Sequence, residues 1–194
     1  MDRTAQFWEL GWCQVDDLLD AKQLLLAQKS IEASRRKGLM HLGTHKVDLG
    51  TLNEYAPVVG QVLLGHLQAD LEKIVARPLL PGYAYWRIYE TGHQLPRHTD
   101  RYVCEISVTM TLASDPVATD WPMKFTDLRG ADQAVSLPPG AAVVYQGCRV
   151  PHEFEPFGGR ENHQLILHYV LADGENAERA PEILARWAQP GADG

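Results

Sequence analysis

The apolar positions of this chain change period once, near residue 80. Over residues 1–77 they recur mainly at helical spacing, over residues 82–170 they alternate with polar ones, and a short helix is expected over about 178–188. The stretch from Asp20 to Lys37 predicts an amphipathic helix: Asp20 can cap its start, Leu24, Ala27 and Ile31 follow the 3.6-residue period, and Gly38 can end it. A second helix is expected from Pro57, which fits only in a first turn. Val58, Val62, Leu63, Leu67, Leu71, Ile74 and Val75 make its apolar stripe, and Arg77-Pro78 stops it. Between the two, residues 37–53 (KGLMHLGTHKVDLGTLN) are rich in glycine and histidine and read as a mobile loop, neither helix nor strand.

From Gly82 the period is two. Tyr83, Tyr85, Arg87 and Tyr89 share one face of a strand, with Trp86 and Ile88 on the other. Ile106, Val108, Met110 and Leu112 alternate with Ser107, Thr109 and Thr111. In the last strand Asn162, Gln164, Ile166 and His168 alternate with His163, Leu165, Leu167 and Tyr169. Further strands are expected over 122–126, 134–137, 141–146 and around Phe154. Seven or so short strands separated by turn residues predict a barrel or a sandwich. Two placements of the mixed faces fit the alternation. Either helices cover the apolar faces and Arg87, Tyr89, Thr109, Thr111, Gln164 and His168 line a wet cavity, or those polar faces meet solvent around an apolar core.

Composition narrows the class. A chain of 194 residues that is 45% apolar suffices for one domain with a sizeable core, and no linker or repeat marks a second. No unbroken run of 18 apolar residues is present, so no membrane-spanning helix is expected. The opening MDRTAQFWELGW lacks the basic and apolar regions of an export signal. A net charge of -7 argues against a nucleic-acid partner. Cys13, Cys104 and Cys148 include no C-x-x-C and read as buried reduced thiols of a cytoplasmic protein.

The candidate chemistry lies in LPRHTD, where His98 and Asp100 stand two apart and share one side of an extended segment. His152, in RVPHEF, follows 54 positions after His98. Two imidazoles and one carboxylate on one face of an octahedral Fe(II) leave three adjacent positions open, whereas tetrahedral zinc would leave one. Taken alone, H-x-D equally describes a hydrogen-bonded pair in a loop turn.

The order of the elements around these residues is more specific. From about Gly11 to Val170 the chain resembles the Fe(II)/2-oxoglutarate-dependent dioxygenases of the prolyl 4-hydroxylase-like branch. The resemblance rests on GWCQVDDLL, YWRIYETGHQLPRHTD, CEISVTMTL, PPGAAVVYQG, PHEFEPFGG and LILHYV. It implies a mainly β fold with N-terminal helices: a double-stranded β-helix (jelly-roll, cupin-like) barrel over about 82–170, backed by helical support over about 18–77, in one domain spanning 1–194. It further implies Fe(II) held by His98, Asp100 and His152, with 2-oxoglutarate as cosubstrate and O2 as oxidant. The implied reaction couples decarboxylation of 2-oxoglutarate to C–H hydroxylation of a small molecule or peptide side chain. Related halogenases replace the carboxylate ligand with a small residue, so Asp100 favours hydroxylation.

One position departs from the family. An Arg or Lys is usual nine or ten residues after the second histidine, where it pairs with the far carboxylate of 2-oxoglutarate; this chain has Glu161 and Asn162 there. Arg160 is the nearest cation and the expected anchor, with Arg87 as its competitor and Tyr89, Thr111, Gln164 and His168 as supplements. Arg87, Arg97 and Arg101 surround the metal motif and suit an anionic small substrate, Arg87 and Arg101 as its contacts. His41, His45, His66 and His93 are assigned to surface or core roles, while for His163 and His168 support of the nearby site and plain exposure or packing both fit. Two further classes fit: a cupin-like metalloenzyme that does not use 2-oxoglutarate, and a binding barrel without turnover.

Overall fold

The helical period of the first 77 residues produces three helices in the computed structural model, which describes residues 2–117 and 120–178. From residue 179 onward the expected C-terminal helix falls outside the described residues. Helix α1 (Arg3–Leu10) starts at Asp2, whose carboxylate accepts from the Ala5 amide, and ends at Gly11 with φ 85°. Helix α2 (Ala21–Arg36) carries a reciprocal cap between Asp20 and Gln23 and buries Ala27, Ile31 and Ser34. Helix α3 (Val58–Val75) begins just after Pro57 and buries Leu63, Leu67, Leu71, Ile74 and Val75. Val58 and Val62, expected in that stripe, are 80% and 62% exposed. Gly60 explains the difference: a Cβ there would lie 3.1 Å from Ala84 of the sheet, so this turn packs through its glycine and residues two positions away face outward.

The alternating region forms two sheets. The larger contains, in spatial order, β1 (Trp12–Val15), β9 (Ala142–Tyr145), β6 (Ile106–Asp115), β11 (Glu161–Leu171), β4 (Leu79–Glu90), β3 (Leu52–Tyr55) and β2 (His41–Leu42). The smaller contains β5 (Leu95–His98), β10 (His152–Phe154), β7 (Met123–Thr126) and β8 (Asp132–Val135). All strand pairs are antiparallel. Residues 37–53 therefore do not form only a loop. Strand β3 pairs with the edge of β4 and β2 with β3, so main-chain pairing with an open edge supplies what their own pattern lacks.

The apolar face of the larger sheet, including Trp86, Ile88, Val108, Met110, Leu165 and Leu167, packs with Phe7, Ile31, Leu67 and Leu71 of the helices. A second apolar cluster between the sheets joins Trp12, Tyr89, Trp121, Phe125, Phe154 and Phe157. Helices on the outer face leave the polar face of β4, β6 and β11 turned inward, which decides between the two placements. Cys13 and Cys104 are buried, but Cys148 is only half-buried, and none of the three is in a disulfide. No described helix is long and apolar enough to cross a membrane.

Candidate metal centre and its cavity

Strands β5 and β10 pair so that His152 lies opposite His98, and their rings stand 4.4 Å apart. Asp100 follows two residues after His98, and its amide donates to the Gly147 carbonyl at 2.8 Å. Its Oδ1 lies 3.5 Å from His98 Nε2 and 3.6 Å from His152 Nε2. One nitrogen from each histidine and this oxygen lie within 4.8 Å of one another. Ligands bonded at about 2 Å and at right angles around one ion stand about 3 Å apart, so the set suits a divalent metal with small adjustment.

Outer hydrogen bonds orient each member. His98 Nδ1 meets the Pro96 carbonyl at 2.8 Å and His152 Nδ1 the Val150 carbonyl at 2.9 Å. A carbonyl only accepts, so both Nδ1 atoms carry a proton, and both Nε2 atoms are turned toward Asp100. Asp100 Oδ2 accepts from Ser107 Oγ at 2.7 Å, and Ser107 Oγ contacts His168 Nδ1 at 2.9 Å. The serine proton serves the carboxylate, so His168 donates to the serine. Burial alone would raise the Asp100 carboxyl, but His98, His152, His168 and Ser107 outweigh it and hold it well below the carboxylate range. Burial pushes His152 down and His168 down to about 4, so both rings are neutral at pH 7. Gly147 makes room for the arrangement: a Cβ there would lie 2.3 Å from Asp100 Oδ2 and 2.6 Å from Ser107 Oγ.

All three candidate ligands open onto a cavity of about 320 Å³. Arg87, Tyr89, Gln164, Arg101 and His168 line it as well. Arg87 is 4% exposed, and among the described residues it makes no ion pair. It donates to Asn53 Oδ1 at 2.8 Å, to the Val47 carbonyl at 3.2 Å and to Tyr89 Oη at 3.1 Å, all neutral acceptors. Gln164 lies directly across the β4–β11 pairing from Arg87, and its buried amide nitrogen has no hydrogen-bond partner. A buried guanidinium facing neutral groups beside an unused amide donor has the chemistry to suit an anion.

Arg160, the expected anchor, stands elsewhere. It ends the turn before β11, its side chain is 78% exposed and paired with Asp115, and it does not line the cavity. The turn delivers Asn162 and Gln164, not Arg160, to the inward face. Thr111 is buried but is not part of the cavity wall, and Arg97 pairs with Glu153 at 3.0 Å outside it. His45, assigned from sequence to a surface or packing role, lines the cavity. Among the histidines outside the centre, His66 meets Gln23, His93 accepts from the Glu90 amide and His163 pairs with Glu161. Sequence reasoning missed Gly147, Asn53 and Tyr55. The polar alternation of β6 did mark Ser107; no comparable signal marks Asn53 and Tyr55, whose strand has no pattern of its own.

No protein-family model matches the sequence, and no curated protein matches it. Solved structures do. A prolyl-4-hydroxylase from Pseudomonas putida superposes with a TM-score of 0.71 at 17% identity, over 87% of this chain and 96% of that one. EctD from S. alaskensis, solved with 2-oxoglutarate and 5-hydroxyectoine, gives 0.69 at 12% identity over 88% and 75%. SnoK, a non-heme alpha-ketoglutarate-dependent carbocyclase of nogalamycin biosynthesis, gives 0.69 at 13% identity over 92% and 89%. Helices over one face of two antiparallel sheets, with an H-x-D and a distant histidine meeting between them, are thus the double-stranded β-helix fold of the 2OG-Fe(II) oxygenases, prolyl-4-hydroxylase-like members included.

Proposed function

We propose that this protein is an Fe(II)- and 2-oxoglutarate-dependent oxygenase that hydroxylates a C–H bond of a small molecule or peptide side chain. The observation that carries the reading is the meeting, in one cavity, of His98, Asp100 and His152 with the buried cation Arg87. Two imidazoles and a carboxylate match non-heme Fe(II) sites that keep open positions. Bound there, the metal and 2-oxoglutarate would supply the oxidising power drawn from O2. The protein's part is to hold ligands and exclude water.

Arg87, with Gln164 beside it and Tyr89 hydrogen-bonded to it, is the anchor for the far carboxylate of 2-oxoglutarate. Arg87 and Gln164 pair across β4 and β11 and line the same cavity as the three metal donors, which supports this role. Asp100 occupies a coordination position that a halogenase leaves for chloride, which favours hydroxylation. Free thiols at Cys13 and Cys104 fit a reducing, cytoplasmic setting.

The test is succinate formation from 2-oxoglutarate by iron-loaded protein, run beside Asp100→Ala. Succinate from the wild type and none from the variant supports the reading. Tight iron binding with neither 2-oxoglutarate binding nor succinate replaces it with a cupin-like metalloenzyme.

A further inference from the structure

Among the described residues, every hydrogen bond that orients Arg87 comes from one short stretch of chain and one tyrosine. Its Nε donates to Asn53 Oδ1 at 2.8 Å, and its Nη1 to the Val47 carbonyl at 3.2 Å and to Tyr89 Oη at 3.1 Å. A guanidinium carries N–H donors on all three nitrogens. The contacts here use Nε and Nη1, and among the described residues Nη2 donates to none. Asn53 stands directly across from Arg87 in the β3–β4 pairing and is itself buried.

The chemistry at position 53 admits little else. Arg87 Nε can only donate, so Asn53 must present its oxygen there. The Thr51 carbonyl can only accept, and Asn53 Nδ2 donates to it and to Thr51 Oγ1, each at 3.0 Å. Thr51 Oγ1 in turn donates to the Asp48 carbonyl at 2.6 Å, which leaves its lone pairs for Asn53. The Thr51 carbonyl also accepts from the Gly43 amide at 2.8 Å, tying the base of the 43–51 loop. Donation thus runs in one direction, from Arg87 to Asn53 to Thr51 to Asp48. A leucine at 53 would offer neither donor nor acceptor. An aspartate would offer Thr51 no donor and would pair with the guanidinium. Asparagine holds the guanidinium and leaves its charge to a guest.

We propose that Asn53 is a positioning residue for the cosubstrate. Acting through Arg87, it turns the guanidinium so that Nη2 is left for a carboxylate, and so makes the site prefer a 2-oxo acid that carries a second carboxylate. The inference rests on the Arg87 reading above and adds to it the source of the selectivity, an uncharged side chain on β3. The 43–51 loop belongs to the same device, since the Val47 carbonyl takes Nη1 and Val47 lines the cavity.

The experiment uses the full chain loaded with Mn(II) and titrated calorimetrically with 2-oxoglutarate and with 2-oxobutanoate, which lacks the far carboxylate. The wild type is expected to prefer 2-oxoglutarate by roughly ten- to a hundredfold, the span of a charge-assisted pair. Asn53→Ala should cut that preference by roughly two- to tenfold, the span of an ordinary hydrogen bond, while the 2-oxobutanoate constant and Mn(II) affinity stay unchanged. Asn53→Asp should cut it further, because its carboxylate occupies the guanidinium. Thr51→Val keeps the shape of the side chain and should act in the same direction, which covers the case of an alanine variant that does not fold. In Arg87→Ala the preference should vanish, and adding Asn53→Ala should change nothing more. A preference kept in Asn53→Ala and Asn53→Asp, an equal loss for both oxo acids, or a further change in the Arg87→Ala background would overturn the inference and leave the anchor in place. A wild type that binds both acids equally overturns the anchor itself, and one that binds neither overturns the oxygenase reading; the inference falls with either.

Discussion

At the metal end of the cavity every candidate ligand is held by a partner of its own, whereas the far end depends on one guanidinium from the middle of β4. His98 and His152 are fixed by carbonyls two residues upstream, and Asp100 by Ser107 and the Gly147 carbonyl. The two histidine contacts are local and the histidines face each other on paired strands, while Asp100 is fixed by longer-range contacts to Ser107 and Gly147. Arg87 instead draws its support from Asn53 and Val47, in the segment that pairs at the sheet edge. Asn53 is itself oriented by Thr51, to which its amide donates twice at 3.0 Å, leaving its oxygen for the arginine. A metal centre thus tolerates little displacement of its donors, while a carboxylate anchor can move from one strand to another if a cation still reaches the same space.

The sharpest break in this comparison is removal of a ligand. His152→Ala and Asp100→Ala should each lower Fe(II) affinity by more than the ten- to hundredfold that loss of an outer partner costs, and turnover should vanish. His66→Ala, outside the cavity wall, should leave both unchanged. Metal titration under anaerobic conditions measures the first effect; unchanged iron binding in both ligand variants would remove the centre from consideration. Gly147→Ala attacks the same end through sterics, because the added carbon meets Asp100 Oδ2 and the Cys104 carbonyl at 2.3 and 2.4 Å. It should cost about 1–3 kcal/mol of stability by overpacking and weaken metal binding, readable by denaturant melts with and without metal.

At the far end, the two arginines give opposite expectations. Arg87→Ala should raise the dissociation constant of 2-oxoglutarate by roughly ten- to a hundredfold while iron binding changes little. Arg160→Ala should leave both constants alone, because its guanidinium is solvated and serves Asp115. The reverse pattern would return the anchor to the turn before β11.

The same contrast explains what the sequence disclosed. The period-two alternation of β4, β6 and β11 placed Arg87, Thr109, Gln164 and His168 on one face, and helices on the opposite face settled which side was inside. H-x-D and the distant histidine could be read because short local spacing and a paired strand fix their meeting. The anchor was read by counting residues from His152, and the 157–159 turn leaves the counted cation, Arg160, exposed and paired with Asp115. Strand β3 was unreadable for a different reason: LNEY has no alternation of its own, and its structure is imposed by the edge of β4.

The mildest test concerns the link from Asp100 through Ser107 to His168. Ser107 occupies Asp100 Oδ2, which leaves Oδ1 to face the histidines, and His168 fixes the direction of the serine hydroxyl. Ser107→Ala releases one carboxylate oxygen without removing a ligand, so metal affinity or turnover should fall by about tenfold, the low end for outer partners. A general packing role for His168 predicts equal damage from any smaller residue, but its role as a donor does not. Asn offers an amide nitrogen near the place of Nδ1, whereas Leu offers none, so His168→Asn should keep most of the metal affinity that His168→Leu loses. In Co(II)-substituted protein the visible spectrum should shift in Ser107→Ala and His168→Leu and stay near wild type in His168→Asn. Identical spectra in all three would show that the serine–histidine pair packs beside the centre without orienting its carboxylate.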